Sequence, residues 1–211
     1  SLTQAVEDPP TISKRKEHIA QVEPDPEEGH GAFYKNAAMS PPRIAPLPAA
    51  DRDPRTQEVL DGLGQTMGAE LNIFSTLAHH PRLLKRWSAF GGALLYRGRL
   101  SDRERELLIM RTGYLCRAHY EWGQHVAFCH AAGIDDEEIA RITCGPDDAG
   151  WSAEDAALLR AADELHADSR IGDATWAALA SRYDEQQLIE ICMVVGQYHL
   201  VAFTLNSLGV E

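Results

Sequence analysis

From Asp53 to the end of the chain, helix starts and helix stops follow one another, and no segment shows the alternation of apolar and polar residues that a half-buried strand requires. Asp53 before Pro54 reads as an N-cap with proline at the first helical position, opening a segment to about Gly64. A breaker zone at Met67-Gly68-Ala69 follows, then a short helix from Asn72 to Ala78. Pro81 opens a longer helix, with Leu83, Leu84, Trp87, Ala93 and Leu94 at three-to-four spacing and Gly98 as its end. Ser101-Asp102-Arg103-Glu104 is a capping box, in which the serine caps an amide three residues on and the glutamate reaches back; it predicts a helix over 102–117. The next helix spans 119–132, stopped by a left-handed Gly133, and Asp135 with Glu138 caps a short one. Ser152 with Asp155, and then Asp173, open two amphipathic helices. The last element begins near Asp184 and is apolar almost all round from Leu188 to Leu208, as expected of a helix buried on most sides or shared with another subunit. Trp87, Trp151 and Trp176 are expected in the core, and the fold class is all-α.

Charge and composition narrow the function classes. With 20 basic and 32 acidic side chains the formal charge is −12, which argues against a phosphate-backbone binder, so no nucleic-acid partner is expected. No stretch approaches the ~20 apolar residues of a membrane helix, so no membrane partner is expected either. Cys116, Cys129, Cys144 and Cys192 stand singly with no CxxC, and the N-terminus carries no basic-then-apolar segment; a soluble, cytoplasmic protein is the expectation. Eight of the eleven prolines lie within the first 48 residues, beside the run Glu23-Pro24-Asp25-Pro26-Glu27-Glu28. Residues 1–38 are therefore expected as a mobile or appended N-terminal extension, and 39–211 as one helical domain. An ordered arm anchored by Phe33 and Tyr34 on a neighbouring subunit is the opposing reading.

Three residues stand out chemically. Glu106 shares a helical row with Met110 and Gly113 beside apolar positions, which makes it a partly buried carboxylate. Glu121 and His125 are four apart, with Cβ atoms ~6 Å from each other on one face. If the two helices pair antiparallel, a carboxylate from one meets a carboxylate–imidazole pair from the other. Burial and charge then shift their pKa values in competing directions, a way to build a proton-transfer centre near neutral pH. The bland alternatives are an ordinary surface pair for Glu121 and His125 and a solvated first-turn carboxylate for Glu106. Cys116 and His119, three apart, raise the question of a metal, but no second close pair of ligands accompanies them and no metal is expected. His199 reads as a hydrogen-bonded core or interface histidine.

These residues carry a resemblance. Leu100-Ser101-x4-Glu106-Leu107-Leu108-Ile109-x-Arg111, then Tyr120-Glu121-Trp122-x2-His125, then Ala132-Gly133-Ile134-x3-Glu138-Ile139 resemble the carboxymuconolactone decarboxylase family of the alkylhydroperoxidase-like superfamily, over about residues 43–211. The resemblance implies an alkylhydroperoxidase-like helical bundle, intertwined as a dimer, trimer or hexamer, with no metal or organic cofactor. Peroxidase members use a glutamate, a CxxC and a histidine; by position these are Glu106, then Ala118 and Glu121 where the cysteines would stand, then His125. Without both thiols, dithiol peroxide reduction at that site is not possible. The decarboxylase branch is similar in its Tyr-Glu-Trp-x-x-His, and implies loss of carbon dioxide from a small lactone acid through a dienolate.

On that reading Glu106, Glu121 and His125 are catalytic. His125 or Glu121 is the general acid, and Glu106 orients the imidazole. Arg111 or His119 would pair with a substrate carboxylate, and Tyr120 and Trp122 would form an apolar wall. A thiol-dependent peroxidase using Cys116 or Cys129, and a non-catalytic ligand-binding oligomer, are the rivals. Against a net charge of −12, an anionic substrate also requires a locally positive pocket, from Arg111, His119 and His125.

Overall fold

The computed structural model describes residues 41–67 and 70–211. The expectations for the extension over residues 1–38, for Phe33 and Tyr34 as anchors, and for Gly68-Ala69 as breakers lie outside the described residues. A 3-10 turn, Ala49–Asp51, is followed by α1 (Pro54–Met67), α2 (Asn72–Leu77), α3 (Pro81–Arg97), α4 (Asp102–Leu115), α5 (His119–Ala131), α6 (Asp136–Cys144), α7 (Ala153–Asp168), α8 (Asp173–Ala180) and α9 (Glu185–Leu208). No strand occurs among the described residues.

The caps are where the residue types put them, with two differences. Asp53 accepts the amides of Arg55 at 2.9 Å and Thr56 at 3.2 Å. Capping boxes close at Ser101 with Glu104, Asp135 with Glu138 and Asp184 with Gln187. α1 continues beyond Gly64 to Met67. At α8 the N-cap is Gly172 and Asp173 is the first helical residue; Glu164 of α7 accepts the Gly172 amide at 2.8 Å, so a neighbouring helix supplies the carboxylate.

α4 is the axle of the fold. Arg105 to Gly113 are buried without a break, which a single amphipathic stripe would not give. Its Leu107 and Met110 pack with residues of α5, α6 and α7, while Leu108 and Ile109 pack with those of α7, α8 and α9. A third cluster joins α1, α2 and α3 to the C-terminal half of α9 through Leu60, Phe74, Leu84, Val201 and Leu205. Each such side chain contributes ~1.5–3 kcal/mol on burial.

Two sequence expectations need correction. Trp87 and Trp151 pack against the core, but Trp176 is 44% exposed. α9, 24 residues long and with an apolar window of mean hydropathy 1.6, meets the length and composition of a membrane-crossing helix, against the expectation that no stretch does. Half of its apolar window is buried inside the fold, and Ile189, Met193, Leu200 and Phe203 form an exposed stripe on its other side. α9 is thus two-faced and not enclosed.

Candidate active site

The α4–α5 junction sets the geometry of the site. Arg117 takes the left-handed conformation at φ 54°, and the Ala118 amide reaches back to the Gly113 carbonyl at 2.9 Å, folding α5 against α4. Glu121 falls in the first turn of α5, where the helix dipole favours a carboxylate, and His125 lies one turn on. Glu106 faces them from α4.

The three side chains form a continuous chain of hydrogen bonds. His125 Nδ1–H donates to Glu106 Oε2 at 2.6 Å and Nε2–H donates to Glu121 Oε1 at 3.1 Å, in the protonated ring. Glu106 is fully buried, with Arg105 Nε 3.2 Å from its other oxygen; Arg105 also pairs with Asp102 at 3.0 Å. Burial works against a charge on His125, but Glu106 first and Glu121 second outweigh it, and its pKa is pushed up to about 9. At neutral pH the imidazole is therefore an imidazolium held between two carboxylates. Phe128 stacks on it at 4.9 Å and Tyr198 meets it edge-on at 5.1 Å, fixing the ring plane.

This chain ends at a cavity of about 390 Å³ bounded by α1, α2, α3, α5 and α9. Glu121 and His125 line it; Glu106 does not, and acts from behind. Its walls are mostly apolar or aromatic, including Phe74, Leu95, Tyr96, Tyr120, Phe128 and Tyr198. Burial pushes the Tyr96 phenol up to about 12 and that of Tyr198 well above its ordinary value, so both stay neutral. Two buried polar atoms of lining residues, Trp87 Nε1 and Gln197 Oε1, have no hydrogen-bond partner among the described residues. One donor and one acceptor are thus left for a ligand. Arg97 and the His125 ring, flanked by Glu121, are the basic side chains that line it, in a chain of charge −12.

Glu106, Glu121 and His125 come together, and Tyr120 lies on the cavity wall, where burial raises its pKa against the backbone amides of Ile73 and Asn72. The other three expected residues do not reach the cavity. Arg111 is bound bidentately by Asp163 at 2.6 and 3.0 Å and donates to the carbonyls of Ile142 and Thr143, so it ties α4 to α7 and to the end of α6. Trp122 is 1% exposed, packed with Leu107 and Met110 in the core, its ring 6.1 Å from Tyr114. His119 lies off the cavity, and its burial lowers its pKa. Helical geometry explains these outcomes: at ~100° per residue the 120/124/128 and 121/125 rows share one face, while 122 points elsewhere. That rule also brings Gln124 and Phe128 to the wall. Arg97, Gln197 and Tyr198 come from distant helices and had no local signal.

Residues 81–164 match the carboxymuconolactone decarboxylase family. No curated protein matches the sequence significantly. Among solved structures, the chain is similar to the AhpD core of an uncharacterized peroxidase-related protein from Ralstonia eutropha JMP134, at 20% identity and TM-score 0.63, covering 80% of this chain and 92% of that one. An uncharacterized peroxidase-related protein from Silicibacter sp. TM1040 gives 18% identity and TM-score 0.69, with 83% and 94% covered. The debrominase Bmp8 in complex with 2,3,4-tribromopyrrole gives 14% identity and TM-score 0.64, with 80% and 90% covered. The chain thus carries a carboxymuconolactone decarboxylase family region over residues 81–164 within an all-helical fold of the alkylhydroperoxidase AhpD kind.

Proposed function

We propose that this chain is a cofactor-free acid–base enzyme of the carboxymuconolactone decarboxylase type, acting on a small lactone or carboxylic acid. The observation that carries this reading is one imidazolium suspended between two carboxylates at the wall of a largely apolar cavity. Convergence of the three groups in one hydrogen-bonded chain that ends at the cavity favours an enzyme over a non-catalytic helical oligomer. A thiol-dependent peroxidase fits less well: Cys129 is fully buried with its pKa raised far above the ordinary thiol value by that burial, and Cys116 does not line the cavity.

The proposed chemistry starts with the substrate carboxylate near Arg97, the cation that stands where Arg111 or His119 was expected. Apolar walls favour neutral carbon dioxide over the bound anion. As the carbon–carboxylate bond breaks, its electron pair passes into the conjugated lactone as a dienolate, carbon dioxide departs, and the carbanionic carbon takes one proton. The proton comes from His125 Nε2–H and reaches the carbon through the Glu121 carboxylate, which takes one proton as it passes one on; solvent then reprotonates His125, while Glu106 holds the ring and its charge as a positioning residue. Gln197 and the Trp87 indole supply an acceptor and a donor for the lactone and its substituents.

The exposed apolar stripe of α9 supports self-association as a dimer, trimer or hexamer, and four free thiols suit a reducing, cytoplasmic setting. The test is carbon dioxide release from a panel of small lactone acids by the wild type and by Glu121→Gln. Turnover of at least one acid, reduced by two orders of magnitude or more in the variant, is the expected result. Equal turnover by both proteins would remove Glu121 from the mechanism.

A further inference from the structure

Away from the cavity, three helices bring together a thiol and two imidazoles that the proposed reaction does not use. Cys116 is the C-cap of α4, His166 lies in the last turn of α7 and His199 in the middle of α9. Cys116 Sγ is 3.9 Å from His166 Nδ1, His166 Nδ1 is 2.9 Å from His199 Nε2, and all three donor atoms lie within 4.8 Å of one another. The partners are 50 and 33 residues apart in sequence, so spacing rules for metal ligands are silent here; the pair weighed from sequence, Cys116 with His119, is not the one that forms.

We propose that Cys116, His166 and His199 form a binding site for a zinc-class divalent ion. Thiolate and imidazole are the donors such an ion prefers, and a tetrahedral site with Zn–N ~2.0–2.1 Å and Zn–S ~2.3 Å needs donors about 3.4–3.6 Å apart. The two nitrogens must open by about half an ångström, and the sulfur must close by slightly less on His166 and, from within 4.8 Å, by up to about 1.2 Å on His199. His166 is exposed enough to give way.

The surroundings are arranged for ligation. His199 Nδ1–H donates to the Val195 carbonyl at 2.8 Å, which leaves Nε2 with its lone pair aimed at the other two donors; metal-bound histidines are oriented by this kind of outer partner. Asn206 of α9 donates to the Cys116 carbonyl at 2.8 Å and holds the end of α4 against α9. The thiol proton leaves when the ion binds, and the proton that His166 Nδ1 lends to His199 in the free protein moves to Nε2, on the solvent side. The fourth position faces solvent and takes water. An ion there would clamp α4, α7 and α9 together.

The full chain, stripped with chelator and titrated with cobalt(II), tests this. The expected result is saturation at one equivalent with thiolate-to-cobalt charge-transfer absorption, displaced by zinc. Cys116→Ser abolishes the absorption, and His199→Gln weakens binding at least about tenfold, the loss that even an outer partner of a ligand costs. Independently of any variant, zinc slows alkylation of Cys116 in the wild type while leaving the exposed Cys144 unaffected. Binding without thiolate absorption, binding unchanged in His199→Gln, or no protection of Cys116 would each overturn the assignment.

Discussion

Replacing Glu106 by Gln keeps the shape of the side chain and its contact with His125 but removes the negative charge behind the imidazole. In the wild type the His125 pKa is pushed from 6.5 to about 9 against the cost of burial, and Glu106 outranks Glu121 among the groups that raise it. At ~1.4 kcal/mol per unit, the rise corresponds to about 3 kcal/mol of preference for the charged ring, most of it from Glu106. Without Glu106, burial dominates, and His125 is expected to titrate at least about two units lower, neutral at pH 7.5. The sign carries over to stability. Because the folded pKa lies above the unfolded one, the contribution is complete below pH 6.5 and is lost as pH rises through 9. The wild type therefore loses about 3 kcal/mol of unfolding free energy over that window, and Glu106→Gln loses little. Following the His125 Cε1–H resonance against pH, with urea unfolding at each pH, reads both. A His125 that titrates at the same pH in the variant would refute the reasoning.

Other expectations separate residues at the cavity from residues that only hold the fold. Arg97→Gln should raise KM for an acid substrate with little change in urea-unfolding free energy, since Arg97 is exposed and lines the cavity. Arg111→Gln should do the reverse: unpairing half-buried Asp163 and two carbonyls costs about 2 kcal/mol of stability with KM unchanged, read by the same two assays. Trp122→Ala should cost about 3–5 kcal/mol through a core cavity, and Trp122→Phe should restore most of that without affecting substrate affinity. The alkaline limb of kcat against pH should fall near 9, where His125 loses its proton, and move down in Glu106→Gln.

Much of the fold is local physics and was legible as such. Ser101 with Glu104 and Asp135 with Glu138 close their boxes as written, and the Glu106, Glu121 and His125 rows needed only an antiparallel pairing of α4 and α5 to converge. Adjacency in sequence along a helix is not adjacency in space. Trp122 follows Glu121 directly but lies ~100° round the helix, in the core. Arg111 is committed to Asp163, a partner 52 residues away that no spacing rule identifies. Arg97, Gln197 and the Cys116–His166–His199 cluster escaped notice for the same reason, since each depends on how distant helices pack. In α9 an apolar run predicts a helix buried on most sides or shared with another subunit; within the chain Ile189 and Phe203 are each 61% exposed, since composition reports affinity for an apolar surface and not whether that surface is within the chain.

The central claim is that His125 drives proton delivery to a carbanion formed in the cavity. Its most direct test is decarboxylation of a lactone acid in deuterium oxide by the wild type and His125→Ala, with helix content and oligomer size checked in both. The account predicts product carrying one solvent-derived deuterium at the protonated carbon, and no turnover in the variant. Full activity in a folded His125→Ala protein would contradict it.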